Sequence, residues 1–135
     1  MWTSKIFTNI YSRLKANGKI RIQKKYPKLT PNFVDSTPSA ETLKYPCIVV
    51  KELQPTETGR DIEARFINGV IYTLQIEVIT NTNQSECNGI ADIVLDMMKE
   101  MSFEVVGMPF SDDSQLNDYR NISRYRREID SQDVI

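Results

Sequence analysis

Apolar positions divide the chain into segments of distinct kinds. Over residues 3–17, Ile6, Phe7, Ile10, Tyr11 and Leu14 recur at helical spacing, while Lys5, Asn9, Arg13 and Lys15 fall largely elsewhere. Thr3 or Ser4 is placed to cap the start, and Gly18 after Asn17 reads as a C-terminal stop. The stretch 18–44, GKIRIQKKYPKLTPNFVDSTPSAETLK, holds three prolines and no sustained period. It is expected to be a long N-terminal loop or arm, in which only Lys19–Lys25 reads as a short strand. Extended at roughly 3.3 Å per residue, such an arm reaches far enough to touch a neighbouring subunit.

A strand meander is expected over 45–80. Tyr45–Leu53 carries Ile48, Val49 and Val50 in a continuous apolar run, as a strand buried on both faces would. Asp61–Ile67 and Val70–Thr80 flank Asn68-Gly69, a strong signal for a two-residue hairpin turn because both positions of a type I′ turn need positive φ. Val70–Thr80 alternates: Tyr72, Leu74, Ile76 and Val78 share one face, and Thr73, Gln75 and Glu77 share the other.

A second helix is expected over 84–101. Asn83, followed three residues later by Glu86, has the form of a capping box. Cys87, Ile90, Ala91, Val94, Met97, Met98 and Met101 make a full core stripe. The opposite side carries Asp92, Asp96 and Glu100, each four residues apart, a spacing at which like charges repel. A basic partner from the N-terminal segment or from another subunit would relieve that repulsion.

Closing strands occupy 104–129. Glu104–Phe110 reads as a short strand and SDDSQLND as an acidic loop. Over Asp118–Ile129, Ile122 shares a face with Arg120, Arg124 and Arg126, whereas Tyr119, Tyr125 and Ile129 share the other. Residues 130–135 form a tail. The elements together predict one α+β domain, a mixed and mostly antiparallel sheet of about four or five strands packed by two helices.

Composition and charge narrow the function. At 135 residues, 40% hydrophobic and 26% charged, the chain is of globular type. No apolar run approaches the roughly 20 residues of a membrane helix. The N-terminus lacks the separate basic and apolar regions of a signal peptide, so a cytoplasmic setting is expected. Histidine is absent, which excludes Ser-His-Asp and Cys-His mechanisms and His-based metal sites. Cys47 and Cys87 form no CxxC pair and read as buried small hydrophobes. Glycosylation-type patterns at Asn83 and Asn121 carry no meaning without secretion. Asp112 and Asp113 read as a solvated turn rather than a cation site.

The net charge of −1 conceals an asymmetry. Residues 1–34 hold eight basic residues and no acid, leaving a balance of −9 for residues 35–135. Such polarity suits self-association or docking on a complementary protein better than simple nucleic-acid binding. Interface candidates are therefore Lys19, Arg21, Lys24, Lys25 and Lys28 on one side and Asp92, Asp96 and Glu100 on the other.

One segment carries a family resemblance. Val70 to Phe103, VIYTLQIEVITNTNQSECNGIADIVLDMMKEMSF, is a strand leading directly into a helix and then a Phe opening the next strand. This pattern, with the closing NISRYRREI, resembles the tail-completion (tail terminator, or tail-to-head joining) proteins of long-tailed bacteriophages over roughly residues 45–130. The resemblance implies a mixed α/β fold assembling into a hexameric ring that caps the tail tube and presents its other side to the head connector or stopper. It places the chain in the virion, assembled in the bacterial cytoplasm, with no enzymatic activity, cofactor, small-molecule substrate or membrane. Arg120, Arg124, Arg126 and Arg127 would then be candidates for lining a channel through which DNA passes, or for intersubunit salt bridges.

Other readings stand beside this one. A head-side adaptor or stopper would be more wholly helical than the hairpin allows. A nucleic-acid module would use the basic N-terminus, but only Tyr26 and Phe33 punctuate the 18–44 stretch. An enzyme would have to work through Asp112, Asp113 and Asp118 with a hard metal.

Overall fold

Two long antiparallel strands form the centre of the protein, and two helices cover one face of the sheet they belong to. The computed structural model describes residues 5–36, 38–39, 41–60, 67–107, 110–113 and 118–130. In chain order the elements are α1 (Ile6–Lys25), β1 (Asn32–Val34), β2 (Cys47–Arg60), β3 (Ile67–Thr80), α2 (Gln84–Glu100), β4 (Glu104–Val105), β5 (Phe110–Asp113) and β6 (Tyr119–Asp130). The sheet order is β1-β2-β3-β6-β4, with β5 also pairing β6. Only β1 and β2 run parallel; the other pairs are antiparallel. The expected α+β architecture with a mixed, mostly antiparallel sheet is present.

Strand alternation sorts the sheet into two faces. The registers Ile48↔Val78 and Val50↔Ile76 set an apolar row under the helices, continued on β6 by Tyr125 and Ile129. Ile6, Ile10, Leu14 and Ile22 of α1 and the Cys87–Met101 stripe of α2 close on it. The other face carries Lys51, Gln75 and Arg124 in one cross-strand row and Leu53, Thr73 and Arg126 in the next. At one end of that face, Leu43 and Tyr45 cover a small cluster of Cys47, Val49 and Ile79.

Helix α2 starts where expected, ends one residue earlier than expected with Met101 as its C-cap, and has Asn83 as its N-cap. Asn83 Oδ1 accepts the Glu86 N–H at 2.7 Å. At the other end Ser102 takes φ 66°, Phe103 N–H donates to Met98 O and Ser102 N–H to Lys99 O. That is a Schellman stop with serine where glycine is usual.

Several expectations are corrected. Helix α1 does not stop at Gly18 but continues to Lys25, so neither the strand over Lys19–Lys25 nor a loop from residue 18 exists. Gly18 occupies the buried stripe between Leu14 and Ile22. The reading failed at Ile20 and Ile22: a strand would put both on one face, whereas the helix buries Ile22 completely and leaves Ile20 67% exposed. What remains of the arm contains β1, tied down by Asn32 N–H to Pro46 O at 2.9 Å and by Tyr11 Oη to Phe33 O at 3.0 Å.

Asn68-Gly69 is not a turn. Gly69 lies within β3, opposite Thr58 on one side and Asp130 on the other. The three-strand meander is therefore one hairpin of two 14-residue strands. A central strand whose ladders run along both edges overrides a two-residue turn preference. The register of β2 shifts between Leu53 and Thr56, around Pro55, a residue suited to an irregular edge position. Residues 61–66 of the strand expected over 61–67, residues 131–135 of the expected tail, loop residues 114–117 and the expected caps Thr3 and Ser4 lie outside the described residues. The N-cap position of α1 is Lys5, which makes no side-chain cap hydrogen bond. Glu104–Phe110 is not one strand: its ends belong to β4 and β5, and Asp112 and Asp113 lie in β5 rather than in a turn.

Candidate functional site

The helical layer divides the charges spatially. Tyr26, just after α1, meets Gly89 near the start of α2, and Arg21 meets Glu100 at the end of α2, so the two helices run in opposite directions. Arg21 Nη1 lies 2.7 Å from Glu100 Oε2. Both side chains are about half exposed, so the pair contributes roughly 0–1 kcal/mol. This pair belongs to a single chain. Of the two sources of a basic partner left open by the sequence, the chain's own N-terminal segment supplies the one for Glu100.

The other interface candidates remain on the surface. Asp92 and Asp96 are exposed on the solvent side of α2 and make no ion pair among the described residues. Lys24, Lys25 and Lys28 are exposed near the end of α1, with the Lys25 ammonium 5.6 Å from the centre of the Tyr26 ring. Lys19 lies on the flank of α1 away from Glu100. There it joins Lys15 and Lys44 around a recess of about 420 Å³ whose walls include Pro31, Phe33 and Val34. Lys15 and Lys44 were not among the sequence candidates, because no local pattern joins residues 15 and 44.

The four arginines of β6 separate into three environments. Arg124 and Arg126 are exposed on the helix-free face: Arg124 Nε donates to Gln75 Oε1 at 3.0 Å, and Arg126 Nη2 lies 3.7 Å from Glu104 Oε2. Arg127 is on the opposite face, as alternation requires, and Nη1 donates to Met101 O at 2.9 Å. It closes the C-terminal end of α2, and it meets Arg126 only at the rim of a recess that Ser102 and Glu104 also line.

Arg120 is the third case, the centre of a nearly buried ion cluster. Its Nη1 is 2.7 Å from Glu77 Oε1, and Nε and Nη2 reach Asp118 Oδ1 and Oδ2 at 3.2 and 3.3 Å. Tyr45 Oη donates to Asp118 Oδ2 at 3.4 Å. The two carboxylates push the Arg120 guanidinium upward from its ordinary value, with Asp118 the larger influence. Asp112 stands opposite Arg120 in the β5–β6 register. The periodicity of β6 placed Arg120 on the correct face but held no sign of Glu77, forty-three residues earlier.

Chemically these groups bind and brace. Burial pushes both thiols, Cys47 and Cys87, up to about 11, and both are free. No group of three or more metal-ligating carboxylates or thiols occurs among the described residues. No helix among them is long and apolar enough to cross a membrane. Compared with known proteins, the chain matches no family model and no curated protein.

Proposed function

We propose that this chain is a structural phage protein that forms a ring on the end of the tail tube, stops its polymerisation and joins the tail to the head connector. The observation that carries the reading is the Val70–Phe103 pattern. Its strand, β3, is the central strand of the sheet and passes into α2 through residues 81–83. Phe103 then returns the chain to the core. Support also comes from the separation of charge: a ring of identical subunits joined head to tail needs two different, complementary surfaces on each copy. The action is steric and electrostatic, by occupation of the growing end and presentation of a new surface to the connector.

The test is electron microscopy of particles from phage with a stop codon in this gene. Filled heads beside separate tails of irregular or excessive length are expected. Emptied heads beside tails of normal length overturn the reading and assign the protein to the head-side connector.

A further inference from the structure

The recess between α1, β1 and residues 41–44 has lysines on its rim and no acidic residue in its lining among the described residues. Lys15 and Lys19 stand four residues apart on one flank of α1, and Lys44 approaches from the chain leading into β2. Phe33 and Pro31 form part of an apolar wall. All three ammonium groups belong to exposed residues, and none makes an ion pair among the described residues.

A matching feature of opposite sign lies on the same chain. Asp92 and Asp96 are also four residues apart, on an exposed helical ridge. Two such rows have the same pitch, about 6 Å along each axis. Each row carries a like-charge i,i+4 repulsion, which an opposing row of opposite sign removes. Within one copy the rows do not meet: the flank of α1 facing α2 carries Arg21, which Glu100 occupies, whereas Lys15 and Lys19 face Phe33 and β1.

We infer that the lysine-rimmed recess is the seat of the Asp92–Asp96 ridge from a second copy of this chain. A concave positive surface on one half of the helical layer and a convex negative one on the other make a heterologous contact, the type that propagates around a ring. The inference rests on the ring reading and deepens it by naming the two surfaces that meet. Glu100, held by Arg21, contributes nothing across the boundary, and neither do the arginines of β6.

The test is sedimentation of the full chain at about 50 mM and about 500 mM salt. Three variants accompany it: Lys15→Glu with Lys19→Glu, Asp92→Lys with Asp96→Lys, and the four substitutions combined. Circular dichroism verifies that each is folded. The wild type is expected to self-associate at low salt and about tenfold or more weakly at high salt. Each two-site variant is expected to remain monomeric where the wild type assembles, and the combined variant to recover association. A wild type that stays monomeric, a two-site variant that assembles normally, or a folded combined variant that fails to recover overturns the inference. Complementation of the stop-codon phage separates this from failure of the ring reading. If loss of the protein deregulates tail length and a charge-reversed variant restores it, the ring reading stands and these surfaces are not its joint. If loss of the protein leaves tails and heads joined normally, the ring reading itself fails.

Discussion

The ring of Phe33 fills the space that a side chain at position 18 would need: a Cβ on Gly18 would lie 2.5 Å from Phe33 Cζ. Glycine in a helix interior costs about 1 kcal/mol relative to alanine. Here the cost is offset by the close approach of β1 to α1. The packing of Phe33 explains why the helix runs through a residue that reads locally as its end.

Gly18→Ala therefore gains helix propensity but collides with a buried ring, and is expected to destabilise by about 1–3 kcal/mol in urea unfolding. Gly89 offers the contrast. A Cβ there would meet Tyr26 Oη, the far end of a half-buried side chain that can swing outward. Gly89→Ala is expected to stay within about 1 kcal/mol of wild type. Equal losses at the two sites would show that Phe33 does not make position 18 special.

The ion cluster at Arg120 should respond very differently from its strand neighbours. Arg120→Leu leaves the Asp118 carboxylate, whose side chain is fully buried, and the nearly buried Glu77 without their cation. A loss of about 3–5 kcal/mol is expected. Arg124→Gln and Arg126→Gln should each change stability by no more than about 0.5 kcal/mol, because both arginines are themselves exposed. Thermal unfolding of the three variants side by side is the measurement.

Ser102 holds a left-handed conformation that costs an L-residue with a Cβ about 1–2 kcal/mol. Ser102→Gly removes that cost without touching either Schellman hydrogen bond, and is expected to stabilise by about 1 kcal/mol. A destabilised variant would mean that the serine side chain makes a contribution larger than its strain.

The two thiols predict alkaline behaviour. Each is raised in the folded protein to about 11, from 9.0 when free, chiefly by burial. A group whose folded pKa is raised retains its proton longer when folded, so its contribution to stability is complete below pH 9 and is lost between 9 and 11. Stability should fall across that window, and replacing Cys47 and Cys87 together by alanine should flatten this part of the profile whatever it does to stability at neutral pH. Thiol labelling at pH 8 should be slow for the native protein and rapid after unfolding.

What local sequence determined is everything set by neighbours within about four residues or by strict alternation. Helix α2 with its Asn83 cap and its core stripe, the two faces of β3, and the face shared by Arg120, Arg124 and Arg126 were all legible for that reason. So was the burial of both cysteines, which an unpaired cysteine outside a CxxC motif favours as a small hydrophobe. Tertiary structure decided the rest, because the interactions responsible join residues far apart in the chain. Gly18 is helical because Phe33 packs on it, and Gly69 is in a strand because Thr58 and Asp130 pair with it. Arg21 is committed to Glu100 of its own chain, and Lys44 is brought beside Lys15 and Lys19 by the pairing of β1 with β2. A turn or helix-stop preference is worth on the order of 1 kcal/mol, and a strand ladder or a buried ring exceeds it.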